Sequence, residues 1–410
     1  MTKREKDKVA GCLEGVRILD FTRYAAGPQI TLLLGFMGAE VIKVESLMDI
    51  DHFRRAESAV VFGSARAAAD CFNSLNVNKL SITLNLKTVE GVALAKRLVR
   101  ISDVVVDNFK AGIMDRLGLG YTVLREIKPD IIMLSASSHG ATGPERGYIG
   151  YAVTMGALGG MSEVTGNEGG PPSVIRSSAD FRPGTAAAFA ILAALNYRED
   201  TGEGQFIDFS AREALSCPIG ELIMDYTMNG RVRTRCGNRD DIMAPHNCYR
   251  CSGEDKWVSI AVATDAEWHG LCRAMDKPEM ANDIRFADQL ERWKHQGEID
   301  RIIEEWTVKH THYKVTEMLQ REGVAASPSF SNEDMFNDPH CRARECFVPV
   351  EHPEEGRMYV VAPPWKLSDT PARAVKAAPL LGEHNGYVLG ELLGMSQQEI
   401  SRLGQENVLY

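Results

Sequence analysis

Over its first 110 residues the chain alternates short apolar runs with stretches of helical periodicity. Residues 16–22 (Val-Arg-Ile-Leu-Asp-Phe-Thr) read as a strand. Gly27-Pro28 follows, and proline at a first helical position is a common helix start. The helix then runs through residues 29–34 and stops near Gly38, and residues 40–44 form the next strand. This is a βαβ unit; such units build parallel sheets that bind ligands at the strand carboxyl ends. Residues 81–84 give another strand. Residues 88–101 form a helix with Val92, Ala95, Leu98 and Val99 on one face. Residues 104–106 and 131–134 are continuous apolar runs of the kind found in fully buried strands.

Residues 138–184 are rich in glycine and proline and read as loops around a site. An Ala-rich helix is expected over 185–198, a turn at 201–204, a strand over 205–210 and a long helix over 211–230. The polar, basic stretch 231–244 resembles a linker. Residues 257–261 open a second α+β region that runs to about 325, and the tail from 379 to 410 is expected to end in a helix and a short apolar strand. The chain shows no internal repeat and no low-complexity tract.

Composition narrows the function classes. The 410 residues are 44% apolar and 25% charged, ordinary for a globular protein, and the length predicts two or three domains or one large interrupted one. A net charge of −10 argues against a nucleic-acid binder, which needs a basic face, but leaves room for a local basic pocket for an anionic cofactor. No apolar window approaches a membrane span, and the charged start lacks the apolar core of a signal peptide. Nine scattered cysteines, an odd number, suit free thiols in a reducing cytoplasm.

Local chemistry is ambiguous on its own. Asp180 precedes a small-residue helix, where aspartate is a favoured N-cap. Gly27-Pro28 opens a helix whose N-terminus is able to face an anion, or is an ordinary strand–helix turn. Cys248-Tyr-Arg-Cys251 is a lone CxxC without the further ligands structural zinc requires, and it precedes a strand rather than opening a helix. Buried thiols fit it better than a metal or redox centre, and no metal is expected. A nucleotide-dependent dehydrogenase is disfavoured, because no Gly-x-Gly-x-x-Gly stands at the first strand–helix turn.

Taken together, ordered segments give the sequence its character: residues 13–22, Ala26-Gly-Pro28 and residues 38–45; Asn76-Val-Asn-Lys79 with Leu84-Asn-Leu86; Asp107-Asn-Phe109 with residues 115–119; Gly143-Pro144, Tyr151 and Gly159-Gly160; Gly170-Pro-Pro172, Ala179-Asp180, Gly184 and residues 201–205; Asp338-Pro-His340 and residues 378–384. This set resembles the family III CoA-transferases, the group of formyl-CoA transferase and carnitine CoA-transferase. The resemblance implies an α/β fold: a large Rossmann-like domain with a parallel sheet, made from both chain ends, plus a smaller inserted α+β domain. It also implies two chains threaded as an interlocked dimer. The corresponding boundaries are 1–210 for the large domain, 211–235 for a linker, 236–325 for the small domain and 326–410 for a second linker and the return.

The resemblance also assigns roles. Asp180 matches the family's nucleophilic aspartate, which takes the acyl group and then CoA. Arg23, Ala26, Lys79, Asn108, Phe109, Lys110 and Arg116 lie at or beside CoA-contact positions, although any one basic side chain alone would read as a surface charge. His139, Tyr151 and Arg182 are candidates for the acyl pocket; His139 also reads as an aromatic-like filler. No permanently bound cofactor is implied, only CoA and acyl-CoA as substrates with a carboxylic acid acceptor. A homodimer or an assembly of related subunits is implied, with no nucleic-acid or membrane partner.

The sequence departs from the family pattern at several points. Arg23 and Ala25 stand before Ala26-Gly-Pro28, Leu80 follows Lys79, and Lys110 replaces the usual arginine, which loses a bidentate fork. Tyr151 is followed by Ala152 where relatives carry a carboxylate, Gly156 replaces a glutamine, and the glycine-rich loop of formyl-CoA transferase has no clear match. Those small residues suggest room for a bulkier or doubly acidic acyl group, with succinyl-CoA and a substituted succinate as the first guess. Arg23, Arg176 or Arg182 would then meet the spare carboxylate. Two alternatives share the fold: an α-methylacyl-CoA racemase, disfavoured because Tyr151-Ala152 replaces its His-Asp pair, and a non-catalytic subunit, opposed by the presence of Asp180.

Overall fold

The computed structural model describes residues 10–55, 65–175 and 178–410. The charged start and Arg176 lie outside them. The described chain divides into two compact units, one of residues up to 161 with 174–229 and 340–410, the other of 162–173 with 230–339.

The first unit is built on a six-stranded sheet. In chain order it contains β1 (Arg17–Asp20), α1 (Ala26–Phe36), β2 (Glu40–Glu45), α2 (Ala65–Leu75), β3 (Leu80–Thr83), α3 (Val89–Arg100), β4 (Val104–Asp107), α4 (Ile113–Arg116), α5 (Tyr121–Ile127), β5 (Ile132–Ser137), α6 (Ala152–Leu158), α7 (Ser178–Thr201), β6 (Phe206–Ser210), α8 (Ala211–Ser216) and α9 (Gly220–Asn229). The order across the sheet is β3-β2-β1-β4-β5-β6, and every pairing is parallel. This is the doubly wound arrangement, with its switch point between β1 and β4, where open α/β sheets leave a ligand crevice.

Both faces of the sheet are covered, which explains the continuous apolar runs. In β4, Val105 joins the core formed with α3 and Val388, Leu389 and Leu403 of the C-terminal segment, while Val104 and Val106 join the opposite core with α1 and α7. Leu19 and Ile18 divide the same way in β1. Successive strand side chains point to opposite faces, so a strand covered on both sides is apolar throughout.

The structure differs from the sequence expectations in several local features. Pro28 is the third residue of α1, not the first. The helix expected over 211–230 is broken by a short 3-10 turn containing Pro218, whose ring and missing N–H disrupt the ladder. The loop region 138–184 contains α6 and the first turns of α7. The tail ends in the helix Gln397–Gln405, and the expected strand after it is absent: Val408 and Leu409 are buried without joining a sheet. An antiparallel hairpin, Phe347–His352 with Gly356–Val361, places Val350 and Val360 in the core with α1.

The second unit carries a three-stranded antiparallel sheet, β7 (His246–Arg250), β8 (Trp257–Ala261) and β9 (Ala325–Pro328). The CxxC lies on β7 and at its end. Cys248 is exposed, with its Sγ 3.2 Å from Ser259 Oγ, and Cys251 is buried, its thiol pushed up to about 11 by burial. Residues three apart on a strand face opposite sides, so the two sulfurs do not converge. Among the described residues no helix is long and apolar enough to cross a membrane.

Candidate active site

The carboxyl ends of the strands carry two cavities within the first unit. The larger, about 350 Å³, is walled by Tyr24–Ala26 after β1, Asn108–Ala111 after β4, Ala136–His139 at the end of β5, the loop Arg146–Tyr151 and the start of α7. Asp180 lies in this wall, and it is the only carboxylate among the described lining residues. It occupies the first turn of α7, inside the helix rather than at its cap. The helix N-terminus stabilises negative charge there, yet burial raises its pKa. No described side chain donates a hydrogen bond to it. Gly184, one turn on, allows α7 to approach α1: a Cβ there would meet the Ala26 carbonyl oxygen at 2.9 Å.

The turn after β1 is held by Asn108. Its Oδ1 accepts from Arg23 N at 2.9 Å and its Nδ2 donates to Arg23 O at 2.8 Å. A Cβ on Gly27 would lie 2.7 Å from Asn108 Cγ, so glycine is required for this clamp. Within the turn Tyr24 adopts φ 63°, rare for a residue with a Cβ. Its ring stacks on His52 at 5.3 Å and meets Tyr151 edge-on at 6.1 Å. Burial and the neighbouring Tyr151 raise the Tyr24 hydroxyl.

The second cavity, about 300 Å³, lies beside the ends of β1, β2 and β3 and is lined by Arg23, Glu45, Ser46, Asn85, Lys87, Phe109 and Lys110, among others. Phe109 and Lys110 line both cavities. Arg23 stacks its guanidinium over Phe109 at 5.3 Å and pairs with Asp49.

The other predicted residues are placed less uniformly. Ala26, His139 and Tyr151 line the larger cavity. Arg116 is exposed on α4 and lines neither cavity, and Arg182 lines neither, its Nη1 lying 3.9 Å from Met161 Sδ. Lys79 lines neither cavity. Its ammonium is fully buried, donating to Asp20 Oδ2 at 3.2 Å and to Pro28 O at 3.0 Å. Burial lowers its pKa to about 8 against the pull of Asp20. Burial pushes Asp20 upward, but Lys79, Lys43 and the hydroxyls of Thr22 and Thr31 outweigh it and hold the carboxyl below its ordinary value. This network fastens β1, β2 and α1 together.

Sequence reasoning missed Tyr24, Phe53, Arg146 and Tyr148 as lining residues. The glycine-rich character of residues 138–184 marked the region of Arg146 but not the side chain.

Comparisons with known proteins give the family and the fold. The sequence profile of CoA-transferase family III matches residues 13–385. The chain is 35% identical over 405 residues to a succinyl-CoA–L-malate CoA-transferase beta subunit of Chloroflexus aurantiacus, covering 97% of this chain and 98% of that one. It is 35% identical over 402 residues to a succinyl-CoA–D-citramalate CoA-transferase of the same organism, with the same coverage. Among solved structures, a CaiB/BaiF family protein from Brucella suis superposes with a TM-score of 0.83 at 30% identity, over 93% of this chain and all of that one.

Proposed function

The chain belongs to CoA-transferase family III, and from that membership we propose that it moves CoA from succinyl-CoA to a second dicarboxylic acid, with Asp180 as the nucleophile. The observation that carries this reading is the position of Asp180 as the single described carboxylate of a cavity at the sheet's switch point. The two relatives whose names give succinyl-CoA as donor and a four- or five-carbon dicarboxylate as acceptor support the substrate class.

The reaction balances without a proton donor. The Asp180 carboxylate attacks the thioester carbonyl, the C–S bond breaks, and CoA thiolate leaves a mixed anhydride. The thiolate then attacks the Asp180 acyl carbon, forming an aspartyl-CoA thioester and releasing succinate. The acceptor carboxylate attacks that thioester, and the returning thiolate takes the acceptor's acyl group and regenerates Asp180. The smaller cavity, sharing Phe109 and Lys110 with the larger, is the proposed path of the CoA chain. Asn108 positions this path by holding the turn after β1. A dimer is part of the proposal: Phe189 on α7 and Ile223, Met224, Tyr226 and Met228 on α9 are 58–74% exposed, apolar surface that a partner chain would cover. Sedimentation at the mass of a single chain would remove that part.

Intact-mass spectrometry of the protein with succinyl-CoA tests the reaction. The expected result is a CoA-sized adduct that maps to Asp180 with release of succinate. Because the nucleophile must be ionised and burial raises its pKa, the charging rate is expected to rise with pH through a value above that of an ordinary aspartate. Folded protein that acquires no adduct from any acyl-CoA would overturn the reading.

A further inference from the structure

We propose that Arg146 selects dicarboxylic substrates, its guanidinium holding the distal carboxylate of the acyl group while the other end reacts at Asp180; this rests on the transferase reading above. The described charged lining of the larger cavity consists of Asp180, Lys110 and Arg146. Lys110 also lines the smaller cavity, on the proposed CoA path. Among the described residues, Arg146 is therefore the cation that lines the larger cavity alone.

Its surroundings leave that cation available. The neighbouring carboxylate, Glu145, is ion-paired with Arg212 of α8. No described acidic side chain pairs with Arg146 itself. The loop that carries it is fixed at several points rather than free. Ser138 Oγ donates to Gly150 O at 3.2 Å, Arg212 N donates to Ser138 O at 3.1 Å, and Ala141 N donates to Asp208 Oδ1 at 2.6 Å. His139 and Tyr148 meet edge-to-face at 6.0 Å across it. Gly150 closes the loop where a Cβ would lie 2.6 Å from the Ser138 side chain.

A second observation points to a polar ligand in the same wall. Ser137 Oγ and His139 Nδ1 are buried and have no hydrogen-bond partner among the described residues. Both residues line the cavity. Buried polar atoms are normally satisfied, and a group left without a protein partner at a cavity is one that a ligand or water completes. A dicarboxylate brings two acceptors at each end, and a planar guanidinium matches one carboxylate with two parallel hydrogen bonds. One arginine would serve both half-reactions, because donor and acceptor each carry a spare carboxylate and occupy the cavity in turn.

The test compares charging of Asp180 by succinyl-CoA and by butyryl-CoA, which has the same chain length with a methyl group in place of the distal carboxylate. The readout is the ratio of the two rates, followed by intact mass. Arg146→Gln is expected to lower the succinyl-to-butyryl ratio by about 30-fold, equivalent to about 2 kcal/mol at 1.36 kcal/mol per tenfold. Arg146→Lys should restore part of it, keeping charge but losing the fork. Lys110→Gln should slow both donors together and keep the ratio. A ratio unchanged within threefold in Arg146→Gln would overturn the proposal, as would a ratio that collapses in Lys110→Gln instead. Wild-type protein that takes no adduct from succinyl-CoA would remove the transferase reading and this inference with it, whereas a charging wild type with an insensitive ratio removes the inference alone.

Discussion

The buried group of Asp20, Lys43 and Lys79 and the open cavity with Asp180, Lys110 and Arg146 belong to the same six-stranded unit. Both set aspartate against basic side chains. In the first, each charge is out of water and committed: Lys79 to Asp20 and Pro28, and Lys43 to Thr22 O at 2.6 Å and Asp51 at 3.4 Å. In the second, the carboxylate and both cations lack described partners. A buried charge that loses its partner costs several kcal/mol, so such a pair is read as structure. A charge left unpaired in a concave wall is read as a binding group. The difference teaches that whether a lysine is paired or open to a cavity depends on the partners the fold brings to it.

The sharpest break between the two regions is at their aspartates. Asp180→Asn is expected to lower charging by at least ~10³-fold, since an amide does not attack the thioester, with little change in melting temperature. Measurement of adduct formation beside a thermal melt checks this. On the buried side, Lys79→Met should do the reverse. It leaves Asp20 without its main partner and should destabilise by about 3–5 kcal/mol in urea unfolding, while the Michaelis constant for acyl-CoA in the surviving folded fraction stays within a fewfold. A large rise in that constant with unchanged stability would return Lys79 to the CoA site.

Asp107, at the end of β4, lies between these cases. Its Oδ1 accepts from Phe109 N at 3.0 Å and Ser135 Oγ at 3.3 Å, but its Oδ2 is buried with no described partner. Burial pushes its pKa up to about 7. The native state therefore binds a proton that the unfolded chain has lost, and stability should fall as pH rises from about 4 to about 7. Asp107→Asn should flatten that fall, a gain at neutral pH of up to about 4 kcal/mol. Unfolding free energies at pH 5 and pH 8 with the same difference in wild type and variant would refute it. The smallest effect is expected at Arg182. It lines neither cavity, so Arg182→Ala should leave the Michaelis constants of all dicarboxylic substrates within threefold.

Much of the architecture was legible locally. The buried strands 104–106 and 131–134, the helix beginning after Thr88 and the βαβ start depend on patterns a few residues long. Thr88 caps its helix as such a threonine should, accepting from Gly91 N. The break at Pro218 is also written locally, since a proline within a helical pattern interrupts the ladder. The hairpin at 347–361 gives a weak local signal, because its strands expose one face and alternate weakly.

The sequence by itself determined the family and an α/β fold with a parallel sheet, and it singled out Asp180 as the candidate nucleophile. Those follow from short-range periodicity and from an ordered set of motifs that no folding calculation is needed to recognise. Only the tertiary structure decided which charges are spent and which are free. Asp20 and Lys79 are 59 positions apart, and Glu145 and Arg212 are 67 apart. Whether a cation is neutralised depends on which distant carboxylate the fold delivers to it, and on how much water remains around the pair. Neither is a property of the local chain, which is why the burial of Lys79 beside Asp20 and the place of Arg146 in a cavity wall emerge only from the fold.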